Sequence, residues 1–394
     1  MSSAPMSSKP SSSHGARHTP MLANTAGELE PEARSRRFNL IEGVGVMTFV
    51  LVVLWFLAYP FGVLGPYGVV NPISQVLLTL GALYLLFVSP FLHRDSLNSW
   101  GLGDPRTLLR WYRDHEGPKR FLLPGVCAVL AVFLAVAFYI NWEDAARFLF
   151  SVSREWARDF KAAPYGPPIV AFSGIALGAL FASCVIRYDN FHSAFWTALK
   201  VVAVLSGLLY LAAFLHMGTA AFAGWDGPKF ALDVFGYVFW GALQQLLFSS
   251  YFGNRIRKGF RPAKNPRMRP WKRLGVATLN GAFFGIIHIN SWYLVLVTWL
   301  LGIVLSWHFM LDKNRNLFAL GFIHGFLGSS VNWLFSKGKA GDFEISMRVG
   351  PWNIDYYDAT TMLVVTILVV AFLALKLVAW YDEGDEPDTH GGNA

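Results

Sequence analysis

The chain alternates apolar runs of about 20 residues with short polar or basic loops, and this pattern narrows its possible folds more than any other feature. An α-helix rises 1.5 Å per residue, so about 20 residues cross the ~30 Å hydrocarbon core of a bilayer. Runs near that length lie at about 41–64, 72–92, 121–141, 167–186, 195–216, 231–252, 275–290, 293–310, 317–335 and 360–380. Backbone N–H and C=O groups in lipid must be satisfied within the segment, which makes helices the natural outcome. The expectation is an all-α, polytopic integral membrane bundle of about ten transmembrane helices. The pair 275–290 and 293–310 is short and closely linked, which leaves open a tilted or partly re-entrant member. A composition of 54% hydrophobic and 15% charged residues excludes an ordinary soluble globular domain.

Lys and Arg fall on alternate loops: Arg34, Arg36 and Arg37 before the first run; Arg94, Arg106, Arg110, Arg113, Lys119 and Arg120 after the second; Arg187 after the fourth; Lys313 and Arg315 before the ninth. The same side receives 254–273, with nine basic residues and no acidic one. By the positive-inside rule, both termini are expected in the cytoplasm, with the chain in the inner or plasma membrane. The net charge of +8 is then an orientation signal, not a nucleic-acid footprint, and 254–273 is expected to attract anionic lipid. The opposite loops, 142–168 and 336–360, carry mixed charge suited to short surface helices or aromatic interfacial anchors.

Residues 1–38 are polar and Ser/Pro-rich and read as a disordered cytoplasmic tail. Beyond it the expected divisions are N-terminal membrane helices at 39–230, a core at 231–335, an outer loop and last span at 336–380, and an acidic tail at 381–394. Cys127 and Cys184 both lie in apolar runs and form no disulfide framework or Cys-based metal site.

Polar groups inside membrane helices are costly, so the few present carry the information. Gln244 and Gln245 stand together in GALQQLLFSSYF; Asn280, Phe284 and His288 recur at i, i+4 and i+8; His324, Gly328 and Asn332 repeat that spacing. From the nearest basic residue, Gln244 is 11 residues in, His288 is 15 and His324 is 9, which gives depths of roughly 14 to 22 Å. Polar groups at one depth on three helices form either a buried structural network or an active site. Asn280 and Asn332 fit packing and site roles equally, whereas His308, near the end of its run, reads as an interfacial hydrogen-bond partner.

The order QQLLFSS, FFGIIH, HGFLG over about 231–335 resembles the CPBP family of intramembrane proteases, which includes CAAX prenyl endopeptidases and bacteriocin-processing, Abi-like proteins. The family pattern is Glu-Glu-x-x-x-Arg, then Phe-x-x-x-His, then His-x-x-x-Asn or Asp. Phe284, His288 and His324 follow it; Gln244 and Gln245 replace the glutamates, Ser249 the arginine and Gly328 the final Asn or Asp. The resemblance implies His288 and His324 at the catalytic positions and Phe284, Asn280 and Asn332 lining a substrate site. In the family the first glutamate and the first histidine are thought to activate water. Gln is nearly isosteric with Glu but has no titratable proton, and loss of a general base typically removes roughly 10²- to 10⁴-fold in rate. Two histidines without a carboxylate also make a poor hydrolytic zinc site, so no metal and no cofactor is expected. The reading is a CPBP-fold pseudoprotease that binds a peptide or the transmembrane segment of a protein. An active protease built on His288 and His324, and a transporter or channel, remain as alternatives.

Overall fold

A computed structural model describes residues 36–53, 72–150, 152–260, 270–288 and 292–335. The expected last span at 360–380, the outer loop at 336–360 and the acidic tail lie outside these residues, as do most of the N-terminal tail and the second half of the first run. The described residues are all-helical. In order they form α1 (Arg36–Val52), α2 (Pro72–Leu83), α3 (Ser89–His93), α4 (Arg106–Asp114), α5 (Leu122–Ile140), α6 (Trp142–Phe150), α7 (Arg154–Ala162), α8 (Gly166–Ile186), α9 (Tyr188–Met217), α10 (Gly227–Gln245), α11 (Gly253–Phe260), α12 (Pro270–Ile286), α13 (Trp292–Phe309) and α14 (Leu317–Leu334). Helix α1 begins inside the segment expected to be a tail. Two π-helical turns, Tyr84–Val88 and Leu246–Phe252, join α2 to α3 and α10 to α11.

Among the described residues, six stretches are long and apolar enough to cross a membrane: Val76–His93, Gly117–Ile140, Gly166–Ile186, Asn190–Phe222, Gly227–Phe260 and Leu317–Leu334. Their outer faces carry exposed Val129, Phe133, Phe172 and Leu215, side chains suited to lipid contact. The short pair expected at 275–290 and 293–310 is α12 and α13, packed against each other, with the apolar part of α13 running over Val295–Phe309. Helices α6 and α7 fill the mixed-charge loop 142–168 and close on a cluster of Trp142, Ala146, Val152, Ala157 and Val170.

Local chemistry sets several helix starts. Ser153 accepts from Trp156 N at 3.1 Å, and Asp226 accepts from Lys229 N at 3.1 Å. The Asn316 side chain caps α14 through Phe318 N at 3.1 Å and Ala319 N at 3.3 Å, and its amide donates to Cys184 O at 3.0 Å, tying α14 to α8. The decisive packing is between α10 and α14. A Cβ on Gly325 would lie 2.5 Å from Val238 N, and one on Gly321 would lie 2.7 Å from Val238 O. Backbones this close leave room only for hydrogen, the small-residue packing that membrane helices use in place of a hydrophobic driving force. That approach brings the polar positions of the two helices together.

Candidate active-site cavity

Helix α14 presents His324 to α10, where Gln245 lies one turn beyond Gly241. The Gln245 amide nitrogen is 3.1 Å from His324 Nδ1, and the Ser249 hydroxyl donates to the Gln245 carbonyl oxygen at 2.5 Å. All three side chains are buried. Ser249 reaches Gln245 from within the π-helical turn. His288 follows the end of α12 and donates from Nδ1 to Phe284 O at 2.9 Å. The Phe284 ring contacts both imidazoles edge-on, with centroids 5.0 Å from His288 and 5.3 Å from His324. The Tyr237 ring lies 5.9 Å from His324 on the other side. Both histidines border one cavity of about 200 Å³, whose remaining walls are mostly leucine and valine from α9, α13 and α14.

The expected site residues divide sharply. His288, His324 and Phe284 come together, and Gly328 borders the same cavity beneath the Tyr237 ring. Of the two glutamines, Gln245 meets His324. Gln244 is only half-buried, and its carbonyl oxygen is buried with no hydrogen-bond partner. Asn280 is buried but turned to helix packing: its amide donates to Phe248 O at 2.9 Å and to Ser306 Oγ at 2.7 Å. Asn332 is exposed and does not border the cavity, although Gly328, one turn earlier on α14, is buried and does. His308 donates to Val304 O at 2.9 Å, a local helix contact.

Sequence reasoning misses a second polar cluster altogether. Glu42 on α1 accepts from the Ser89 hydroxyl at 2.5 Å and the Tyr251 hydroxyl at 3.0 Å, pairs with His93, and has Arg255 at 3.7 Å. Asp95, just past α3, takes Arg255 at 2.6 Å, Lys258 at 2.5 Å and the Trp100 indole N–H at 3.2 Å. Burial alone would raise the Asp95 pKa, but Lys258 and Arg255 outweigh it and hold the carboxyl down at about 2. Within 254–273, Arg255 and Lys258 are buried counter-ions, and 261–269 lies outside the described residues. The signal in the sequence is Glu42, an acid in an apolar run, together with the i, i+4 and i+7 spacing of Tyr251, Arg255 and Lys258.

Among the described residues, no group of three His, Cys, Asp or Glu side chains that could hold a metal ion occurs. No family model, curated protein or solved structure matches the chain.

Proposed function

We propose that the chain is a CPBP-like intramembrane pseudoprotease, a membrane protein that retains a two-histidine cavity for binding a peptide or the transmembrane segment of a protein, without ordinary hydrolysis. The observation that carries this reading is the Ser249–Gln245–His324 chain of hydrogen bonds. An amide and a hydroxyl, satisfying each other and the imidazole, occupy the positions where the resembled family places glutamate and arginine. Neither accepts a proton from water near neutral pH, and the first glutamate position, which the resemblance pairs with His288 in water activation, is likewise an amide, Gln244. Replacing a whole charge cluster by neutral hydrogen-bonding groups also removes the desolvation cost of charges in a membrane interior.

The finer topology belongs to the same proposal: about ten spans, both termini in the cytoplasm, and 254–273 on the cytoplasmic side, supported by the Lys/Arg asymmetry of the loops. Cysteine labelling that finds position Lys264 on the outer side would overturn that orientation. For the chemistry, the experiment is peptide cleavage by the purified chain, with and without chelator, beside variants that restore the pattern. Wild type is expected to be inactive. Gln244→Glu alone should recover little, and the combination Gln244→Glu, Gln245→Glu, Ser249→Arg and Gly328→Asn more than any single change, because residues that act as a unit are non-additive. Robust wild-type turnover abolished by His288→Ala would replace this reading with that of an active protease using an altered catalytic set.

A further inference from the structure

The recognition chemistry of the cavity goes beyond the reading above and rests on it only in treating the cavity as a binding site. The hydrogen bonds fix where each ring carries its proton. The Gln245 side-chain nitrogen can only donate, so His324 Nδ1 accepts and the proton of the neutral ring sits on Nε2. The Phe284 carbonyl can only accept, so His288 Nδ1 carries the proton and Nε2 keeps its lone pair. In this orientation of the amide the Ser249 hydroxyl donates to the Gln245 oxygen. Two imidazoles that look alike in the sequence therefore offer opposite groups, one donor and one acceptor. Each has Nδ1 engaged by the protein, which leaves Nε2 for an occupant.

Apart from Thr298, whose hydroxyl donates to Val295 O at 3.2 Å, the rest of the lining carries no polar side chain, with Leu205, Leu301, Val304, Leu327 and Val331 among the side chains. Val297 and Leu300, which are exposed on the apolar outer face of α13, border the same space, so it is reached from the side of the bundle that faces lipid. A volume of about 200 Å³ exceeds the ~150 Å³ of an apolar cavity able to hold benzene. A charged head group would be buried here without a counter-ion, at high cost. A pure hydrocarbon would leave both Nε2 atoms unsatisfied.

We propose that the cavity binds a membrane-dissolved alcohol, a neutral apolar chain or ring ending in one hydroxyl, which accepts from His324 Nε2–H and donates to His288 Nε2. A single hydroxyl serves both rings because it is at once donor and acceptor.

The test is a binding titration, by saturation-transfer NMR, of heptanol and its isomer hexyl methyl ether against the full chain in lipid nanodiscs. The two probes contain the same atoms, but the ether cannot donate. Heptanol should bind about tenfold more tightly, since the ether leaves the His288 lone pair unpaired. The preference should vanish in His288→Phe and in His324→Phe. Val304→Phe, which fills the space while keeping both histidines, should abolish binding of both probes, and thermal unfolding of each variant confirms that it is folded. Equal affinity for the isomers, a preference that survives the histidine variants, or binding that survives Val304→Phe would overturn the proposal. Peptide hydrolysis, assayed separately, overturns the pseudoprotease reading without altering the alcohol–ether comparison.

Discussion

Replacing Asp95 by Asn should destabilise the protein and also remove a defined part of its acid sensitivity. The Asp95 carboxylate is fully buried and holds Arg255 at 2.6 Å and Lys258 at 2.5 Å. Its pKa falls from 3.8 to about 2 on folding, despite burial, because of those two cations. A folded pKa below the unfolded one means that the carboxylate stabilises fully above roughly pH 4 and progressively less as pH falls towards 2. At 1.36 kcal/mol per pH unit, that contribution is about 2 kcal/mol. Mutation goes further than protonation at low pH, because it leaves Arg255 and Lys258 short of a partner at neutral pH. Breaking a buried pair from one side costs about 3–5 kcal/mol. The assay is unfolding in mixed micelles, followed by tryptophan emission between pH 7 and pH 2. Asp95→Asn should be less stable at pH 7, with a flatter profile below pH 4, and added salt should change little because the pair is buried. A variant with the wild-type midpoint at pH 7, or with the wild-type loss between pH 4 and pH 2, would refute the reasoning.

Other expectations follow from single contacts. Gln245→Leu leaves His324 Nδ1 and the Ser249 hydroxyl unpaired and should cost about 1–3 kcal/mol in the same unfolding assay, whereas Ser249→Ala should cost about 1 kcal/mol. Gly325→Ala would gain about 1 kcal/mol in an isolated helix, yet here the new methyl meets the backbone of α10, so a net loss of about 1–3 kcal/mol is expected in thermal unfolding. Asn280→Ala removes two buried hydrogen bonds and should lower the unfolding midpoint measurably, while Asn332→Ala, at an exposed position, should fall within about 0.5 kcal/mol of wild type.

The residues differ in how much of their role is legible in the sequence. Helical character and depth follow from run length, so the sequence alone places His288 and His324 in the interior of the membrane, at depths of roughly 22 and 14 Å. Rotation about a helix axis is harder to read. Gln244 and Gln245 stand 100° apart, and which of them meets His324 depends on the way Gly321 and Gly325 seat α10 against α14. Asn280 and Asn332 each stand eight residues from a histidine, yet one is consumed by helix packing and the other is exposed. The Glu42–Arg255–Asp95 cluster joins residues separated by as many as 213 positions along the chain, from 42 to 255, and no local spacing announces such a pairing. In the basic run beginning at Arg255, charge alone cannot separate counter-ions from surface residues.

The π-helical turn at Leu246–Phe252 sets the phase of the long helical rod that contains it. Such a turn holds one residue more than the α-helical turn it replaces, so everything beyond it is rotated by about 100° from where an uninterrupted helix would place it. Gln245 lies before the turn and faces α14, whereas Arg255 and Lys258 lie after it and face Asp95. One extra residue thus lets a single rod face the cavity along one half and the ionic cluster along the other. Regularising the turn to α-helix without removing a residue would swing Arg255 and Lys258 about a quarter turn away from Asp95, with Gln245 still against His324, whereas deleting one residue together with the bulge would keep both ends in place. The type of helical turn in this stretch is therefore as much a determinant of the fold as side-chain identity, because it sets the angle between the two ends of the rod.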